Sequence, residues 1–518
     1  MSDPIWLDGR DAPAHPSLAA DIDCDVLVVG AGITGLSTAW ELARAGRRVV
    51  LLEARALGVS TTGGSTAKVS ALQGTAYSQI AARAGIDSAR AYAASQQMAV
   101  EHLAGVVERI GARCSLERRT SWLFAEDRQE VTTLLREAEV LAECGLSVRT
   151  GSDPGLPFYV EETLRLDHQL LVDPVAYLDA LAADFVRSGG ILHEQTRVVE
   201  LDTGDPHRAR TQEGHTVRAA HVVVATHFPA FSEGVLFARL KTHREHVLSA
   251  PVPNGAESLA DMYVGVGPEA PALRPASAPA GGPRELLVSG APYMPGKESA
   301  AVRLADLMDW ARDRVPDYQP TRQWSAQDHD SPDRIPFIGE LRPLTRPGNG
   351  VWGATGFGGW GMANGVLAGV LLRDLILSSD AGEARAAGRS GDWRELFTVG
   401  RARWAAEGRR VVGQGAAFVG HAVTSRVVAA GTSVLPGAPE DLAPGAAGRF
   451  QRGVDVVAAY RDHDGVLHQV SASCTHMGCL VSLDETAEKW QCPCHGSRFE
   501  LDGRVLEGPA TSPLRPVD

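Results

Sequence analysis

Nowhere in these 518 residues does an apolar run reach the roughly eighteen residues that a membrane-spanning helix needs, so no membrane span is expected. No block of lysine and arginine stands out either, and 50 basic against 63 acidic side chains leave a formal charge of -13. A nucleic acid, which is held by displacing counterions with a basic patch, is therefore set aside as a partner. Aromatic residues are scarce at 6%, yet 44% hydrophobic and 22% charged residues are ordinary for a globular chain. The opening stretch MSDPIWLDGRDAPAHPSLAADIDC has neither a basic nor an apolar region and a single arginine, so a cytoplasmic address is expected. Cysteine is sparse as well. Of seven, Cys24, Cys114 and Cys144 are scattered, while Cys474, Cys479, Cys492 and Cys494 fall within twenty-one residues. In a reducing compartment such crowding points to a metal before a disulfide framework. The length itself calls for two or three domains.

What is present begins with DVLVVGAGITGLSTAWELARAGRRVVLLEA, which reads as a buried strand from Asp25 to Val29, a glycine turn, a helix and a second strand ending at Glu53. Gly30 makes the tight turn, Gly32 lets the backbone approach a pyrophosphate, and Gly35 lets helix and strand pack closely. The phosphates sit on the helix N-terminus, where free N–H groups and the dipole favour negative charge. Glu53, eighteen residues after Gly35, is placed to accept hydrogen bonds from ribose hydroxyls. The unit alone leaves NAD and FAD both open. A second strand-GxGxxG-helix unit for a nicotinamide is absent, which makes NAD(P)H a poor electron donor.

Near the other end, Cys474 and His476 form C-x-H, fifteen residues follow, and Cys492 with His495 form C-x-x-H. Zinc, an iron–sulfur cluster and a disulfide all remain conceivable for such a stretch. A zinc site normally uses paired cysteines before paired histidines, or four cysteines. Here each half supplies one sulfur and one nitrogen, which is what a Rieske 2Fe-2S centre needs, with two thiolates on one iron and two imidazoles on the other.

With CTHMGC and CPCHGS on the page, this end resembles the Rieske family, in particular the cluster-binding loops of the cytochrome bc1 and b6f type. The resemblance implies that Cys479 and Cys494 form a disulfide tying the loops together. It also implies that Ser497 donates to a bridging sulfide, and that Phe499 stands where respiratory members have a tyrosine bonded to a ligand sulfur. A lost sulfur hydrogen bond predicts a potential below theirs. The segments ARALGVSTTGGSTAKVSALQG, LLVDPVAYLDALAADFVRSGGILHEQTRVVEL, AAHVVVATHFP, WSAQDHDSPDRIPFIG and GVWGATGFGGWGMANGVLAGVLLRDLI in turn resemble FAD-dependent oxidoreductases of the D-amino-acid-oxidase (DAO) type, over about residues 23–377. That likeness implies FAD held by Gly30, Gly32, Ile33, Gly35, Glu53 and Ala54. The loop with Ser65, Thr66, Ala67 and Lys68 would run beside the flavin, and Val198 would touch the adenine. Thr226 would close the nucleotide side, with Gly356, Phe357, Gly361 and Met362 under the isoalloxazine. The residues agree on one point: GFGGWGM precedes a long apolar helix, whose N-terminal N–H groups can face charge developing on the reduced ring.

The expected fold class is α/β, a Rossmann-like FAD-binding domain of the DAO type with an interleaved substrate subdomain, plus a small all-β Rieske domain at the C-terminus. The expected boundaries are an extension over 1–22, the oxidoreductase over 23–390, a helical segment and linker over 391–436, and the Rieske domain over 437–518. The expected function is oxidation of a small-molecule CH–NH substrate by hydride transfer to FAD, with single electrons passing to the cluster and on to a downstream acceptor. An electron-transfer protein feeding an oxygenase and a non-catalytic redox sensor remain alternatives. Lys68, His227, Arg244 and His246 are candidates for the substrate site by position, a solvated surface charge being the plain alternative for each.

Overall fold

The computed structural model describes residues 2–10, 14–231, 236, 239–253, 256, 259–267, 269–277, 282–341, 349–381, 393–401, 434–453 and 455–517. Its first sheet runs in the order Phe337–Glu340, Val351–Thr355, Thr216–Val224, Ile22–Val29, Val49–Leu52 and Ile191–His193. All neighbours are parallel except the Phe337–Glu340 edge, and the hairpin Val198–Asp202/His207–Thr211 extends the third strand. Both faces of the central strands are covered, which is why VLVV and VVLL are unbroken apolar runs rather than alternating ones. Connections leave the Ile22–Val29 strand toward both sides of the sheet, so a crevice opens beyond its carboxyl end.

The helix Ile33–Arg44 lies against Gly361–Asp380, and glycine makes that approach possible. A Cβ on Gly369 would sit 2.7 Å from that of Ser37, and one on Gly365 would sit 2.6 Å from Ile33 Cγ2. Gly361–Asp380 is, by length and composition, apolar enough to cross a membrane, its longest run without a polar side chain ending at Arg373; 72% of its most apolar 18-residue window is buried inside the protein, as befits a core helix.

A second, mostly antiparallel sheet is assembled from segments between the Rossmann-like strands, in the order Arg322–Asp330, Lys241–Pro251, Glu285–Tyr293, Ala272–Ala276, Met262–Gly265, Glu117–Ala125, Glu162–Leu171 and Lys68–Val69. This is the interleaved subdomain. Near the C-terminus stand two small antiparallel sheets, Ala447–Arg452/Asp455–Arg461/Leu467–Ser471 and Ser482–Asp484/Lys489–Gln491/Arg498–Phe499/Val505–Glu507. They share one core around Val457's neighbours Val456 and Ala458, with Trp490 and Phe499. The expected helical segment falls largely on residues 402–433, outside the described residues.

Candidate functional site: a nucleotide cleft capped by a cysteine–histidine centre

A cleft with roughly 1730 Å³ of empty space, its open mouth included, runs from the Rossmann-like glycines to the second sheet. Gly30, Gly32, Ile33, Glu53, Ala54 and Val198 line one arm, and Ser65, Thr66, Thr226, Phe357, Gly361 and Met362 the other. Gly35 lies behind the wall: a Cβ there would be 1.8 Å from Gly30 O, so only glycine allows the helix to start against the strand. Gly356 (φ +78°) is also set back, against Leu240 and Ser331. Glu53 accepts hydrogen bonds from the Ala31 and Arg55 backbone N–H groups, both at 2.9 Å. A glycine floor, a helix N-terminus and an acid at the far end suit a dinucleotide whose pyrophosphate needs close backbone approach.

Ala67 and Lys68 stand outside the cleft lining. Lys68 Nζ donates to Thr66 Oγ1 at 2.8 Å. Burial and the neighbouring Arg274 push its ammonium down to about 8, with Glu245 opposing. It is no solvated surface charge. Arg274 in turn donates to the carbonyls of Thr66 and Ala67 and pins that loop.

The HREH stretch lies on the Lys241–Pro251 strand, where successive side chains take opposite faces. Glu245 and Val247 line the cleft; Arg244 and His246 do not. His246 is fully buried, contacts Ala300 O at 2.9 Å and stacks on Tyr293, and burial pushes it down to about 4. Arg244, 1% exposed, pairs with Glu507 of the C-terminal unit at 2.9 Å and also donates to Ser325. Both are therefore corrected as substrate candidates: one is core, the other a clamp between domains. His227 does line the cleft, its ring centroid 4.3 Å from that of His329 at a 40° tilt and its Nε2 3.7 Å from the Asp328 carboxylate. Despite its burial, Asp328 is held below the usual carboxylate range by the nearby His227 and His243 and by the His329 backbone N–H, which donates to it at 2.6 Å.

The second centre is built by the loops 474–479 and 492–497. Cys474 and Cys492 are buried with free thiols, and the His476 and His495 rings lie 5.0 Å apart. A hydrogen bond from Cys492 draws Cys474 down to about 7 against burial, aided by the His476 backbone and Ser497, while the same contact and burial push the Cys492 thiol well up; burial drives both imidazoles toward neutrality. Two sulfurs and two neutral imidazoles are the donor types the implied cluster takes, the thiols giving up their protons on binding, so the donor set fits it. Cys479 and Cys494 form a disulfide. Cys479, Cys492 and Cys494 also place their sulfurs within 4.8 Å of one another, but the bridged pair has no thiolate to give a metal. Ser497 accepts from the Ala510 N–H at 3.0 Å, beside Cys474.

These two centres meet. Leu506, Glu507, Gly508, Ala510 and Thr511 form part of the cleft wall. Arg197 donates to Val505 O at 3.1 Å, and Glu485 accepts from Ser299 Oγ and the Ala301 N–H at the start of helix Ala300–Arg314. The Cys492–Ser497 loop presses on Gln327: a Cβ on Gly496 would fall 2.2 Å from its Oε1.

A family profile described as FAD dependent oxidoreductase (DAO) matches residues 25–375, and one for the Rieske 2Fe-2S domain matches 433–518. The chain belongs to the DAO family of FAD dependent oxidoreductases and carries a C-terminal Rieske domain. The DAO part binds FAD and the Rieske domain binds a 2Fe-2S cluster. A Bacillus subtilis (strain 168) protein provisionally named Rieske 2Fe-2S iron-sulfur protein YhfW is 30% identical over 515 residues, 99% of this chain and 97% of its own. The cytochrome b6-f complex iron-sulfur subunit of Chlorobaculum tepidum is 40% identical over 77 residues, 15% of this chain and 42% of its own. Among solved structures, glycine oxidase from Geobacillus kaustophilus is similar with a TM-score of 0.59 at 19% identity, covering 74% of this chain and 99% of its own. L-proline dehydrogenase from P. horikoshii gives 0.57 at 18%, covering 71% and 100%.

Several residues of this DAO–Rieske site carry no motif. Glu245 and the 506–511 wall join the cleft only through sheet register and domain docking, and Gln327 and Asp328, although inside the quoted WSAQDHDSPDRIPFIG segment, are not singled out there. Phe228, between His329 and the Rieske loops, follows the predicted His227 directly, but nothing in the sequence marks it as facing the cluster.

Proposed function

We propose that the chain dehydrogenates a CH–NH bond of an amine or amino acid and sends the electrons singly from its flavin site to its Rieske site. FAD supplies a two-electron hydride acceptor, and the cluster supplies a one-electron one. The observation that carries the reading is that the segment 506–511 of the Rieske domain lines the same cleft as Gly30 and Met362, so the two sites share a wall. The chain's own residues do the rest. Arg274 and Trp6 hold the loop beside the flavin arm, Trp6 Nε1 donating to Ser65 O at 2.9 Å. The docked Rieske domain supplies part of the cleft wall through residues 506–511. The His227–Asp328 pair stands at the cleft wall, where it can take up a proton released from a substrate nitrogen.

Support for the substrate class comes from relatives: those similar in fold act on glycine and L-proline by name. The test is anaerobic addition of amino acids, amines and NADH to the purified holoprotein, following flavin bleaching and a Rieske-type EPR signal together. An amine or amino acid that produces both supports the reading. NADH alone producing both would replace it with an electron-transfer role, and a flavin that no substrate bleaches would remove the catalytic role.

A further inference from the structure

We propose that the two imidazole ligands serve opposite sides: His495 receives electrons from the flavin cleft, and His476 hands them to a basic one-electron carrier docking on the exposed 473–478 loop. This rests on the flavin-to-cluster transfer proposed above and adds where electrons enter and leave.

The inward side is sealed by protein. His495 is 5% exposed and its ring lies 5.2 Å from that of Phe228, which is itself 2% exposed. Phe228 lies 5.2 Å from His329, and the tilted rings of His329 and His227, which lines the cleft, are 4.3 Å apart. An unbroken series of rings thus joins the cleft wall to one imidazole. The series is held rigidly: the Thr226 hydroxyl donates to Phe228 O and the Thr355 hydroxyl to His227 O, both at 2.7 Å. No external carrier can approach His495 while the domains are docked.

The outward side differs. His476 is partly exposed, its ring 6.3 Å from Phe228 and nearly perpendicular to that of His495. Exposed Ser473, Thr475 and Gly478 surround it, and the Thr475 hydroxyl donates to the carbonyl of exposed Ser512 at 2.5 Å, placing Pro513 alongside. Ser473, Thr475, Gly478 and Ser512 carry no charge, whereas residues 434–518, leaving out Asp484, Glu485, Arg498 and Glu507 of the docked side, carry 9 acidic and 6 basic side chains. An uncharged contact patch in an acidic field steers a basic partner and lets it touch without desolvating a charge. The balance is simple. Each substrate molecule loses two electrons and two protons on forming its C=N bond, two carriers are each reduced by one electron, and the protons go to water.

The proposal is tested on the holoprotein in three ways. Diethylpyrocarbonate footprinting read by mass spectrometry should modify His476 and spare His495; the reverse pattern overturns it. After anaerobic photoreduction of the bound flavin, Phe228→Leu should slow growth of the cluster's EPR signal and Phe228→Tyr should restore it, with g-values unchanged in both. Ser512→Lys should leave that internal step unchanged and slow reduction of the basic probe cytochrome c by the reduced protein. Equal internal rates for Phe228→Leu and wild type, or no effect of Ser512→Lys on cytochrome c, overturn the proposal. If wild-type flavin, once photoreduced, never reduces the cluster, the underlying function is what fails.

Discussion

Replacing Glu507 by glutamine should undock the Rieske domain, and the size of the effect follows from its surroundings. The Glu507 carboxylate, 23% exposed, sits between Arg244 at 2.9 Å and Arg498 at 3.6 Å, and Arg498 faces Asp484 at 3.5 Å. Burial opposes its charge, but Arg244 and Arg498 hold its pKa down to about 2 from an ordinary 4.5. At about 1.4 kcal/mol per unit this corresponds to roughly 3 kcal/mol. It agrees with the ~3–5 kcal/mol lost when a buried charge is left without its partner. Glutamine keeps the shape and an acceptor oxygen but removes the charge, so Arg244 exchanges an ion pair for a neutral hydrogen bond beside Ser325 and a long contact to Gln327. Arg498 belongs to the same domain as Glu507 and stays with it on undocking, so only the Arg244 share, on the order of 1–2 kcal/mol, bears on docking, a factor of roughly 10 in the docked-to-undocked ratio. Hydrogen exchange of the Val505–Glu507 amides should therefore accelerate about 10-fold, and the flavin should be lost more readily on gel filtration. The same linkage has a sign in pH. A depressed carboxylate stabilises the native state above its unfolded value and stops doing so as pH falls through its folded value, so wild-type docking should weaken between about pH 4.5 and 2. Glu507→Gln should lack that transition. Exchange rates and acid behaviour equal to wild type would refute the clamp.

Three further outcomes follow from other sites. Gly35→Ala puts a methyl 1.8 Å from Gly30 O, so the purified protein should carry no flavin absorbance; retention of a full complement would contradict the packing. Lys68→Met should stabilise the protein by about 1–3 kcal/mol at neutral pH, because a buried ammonium depressed from 10.5 to about 8 costs stability while charged. Wild-type thermal stability should in turn gain from this group as pH rises from about 8 to 10.5, where the unfolded chain holds the proton and the folded one does not, and the variant should show no such gain. Phe499→Tyr, in the core shared with Cys474 and Cys492, should raise the cluster potential by about 40 mV in a redox titration if its hydroxyl gains a sulfur hydrogen bond worth ~1 kcal/mol; an unchanged potential would show that it finds none.

The parts of this molecule that were readable in advance are those whose chemistry is local. Gly30, Gly32, Gly35 and Glu53 act within one strand-turn-helix unit, and the C-x-H and C-x-x-H pairs announce their donor set by composition. The cleft residues from the second sheet were not readable. On the Lys241–Pro251 strand, which side chains enter the cleft depends on register, and pairing with Glu285–Tyr293 shifts between Arg244 and His246. The sequence pointed to Arg244 and His246, where the cleft takes Glu245 and Val247. Position alone did select His227, because it follows directly on Thr226 at the end of the Thr216–Val224 strand. The shared wall depends on docking between segments more than 250 residues apart, such as Arg244 and Glu507, and no local pattern encodes that.

In the proposed function, electrons pass from flavin to cluster within one chain. The most direct measurement is flash photoreduction of the flavin in anaerobic holoprotein over a wide range of protein concentration, with the Rieske EPR signal read after freeze-quenching. The account predicts a cluster signal that grows as reduced flavin disappears, at a rate independent of concentration. A cluster that stays oxidised beside reduced flavin, or a rate proportional to concentration, would contradict it.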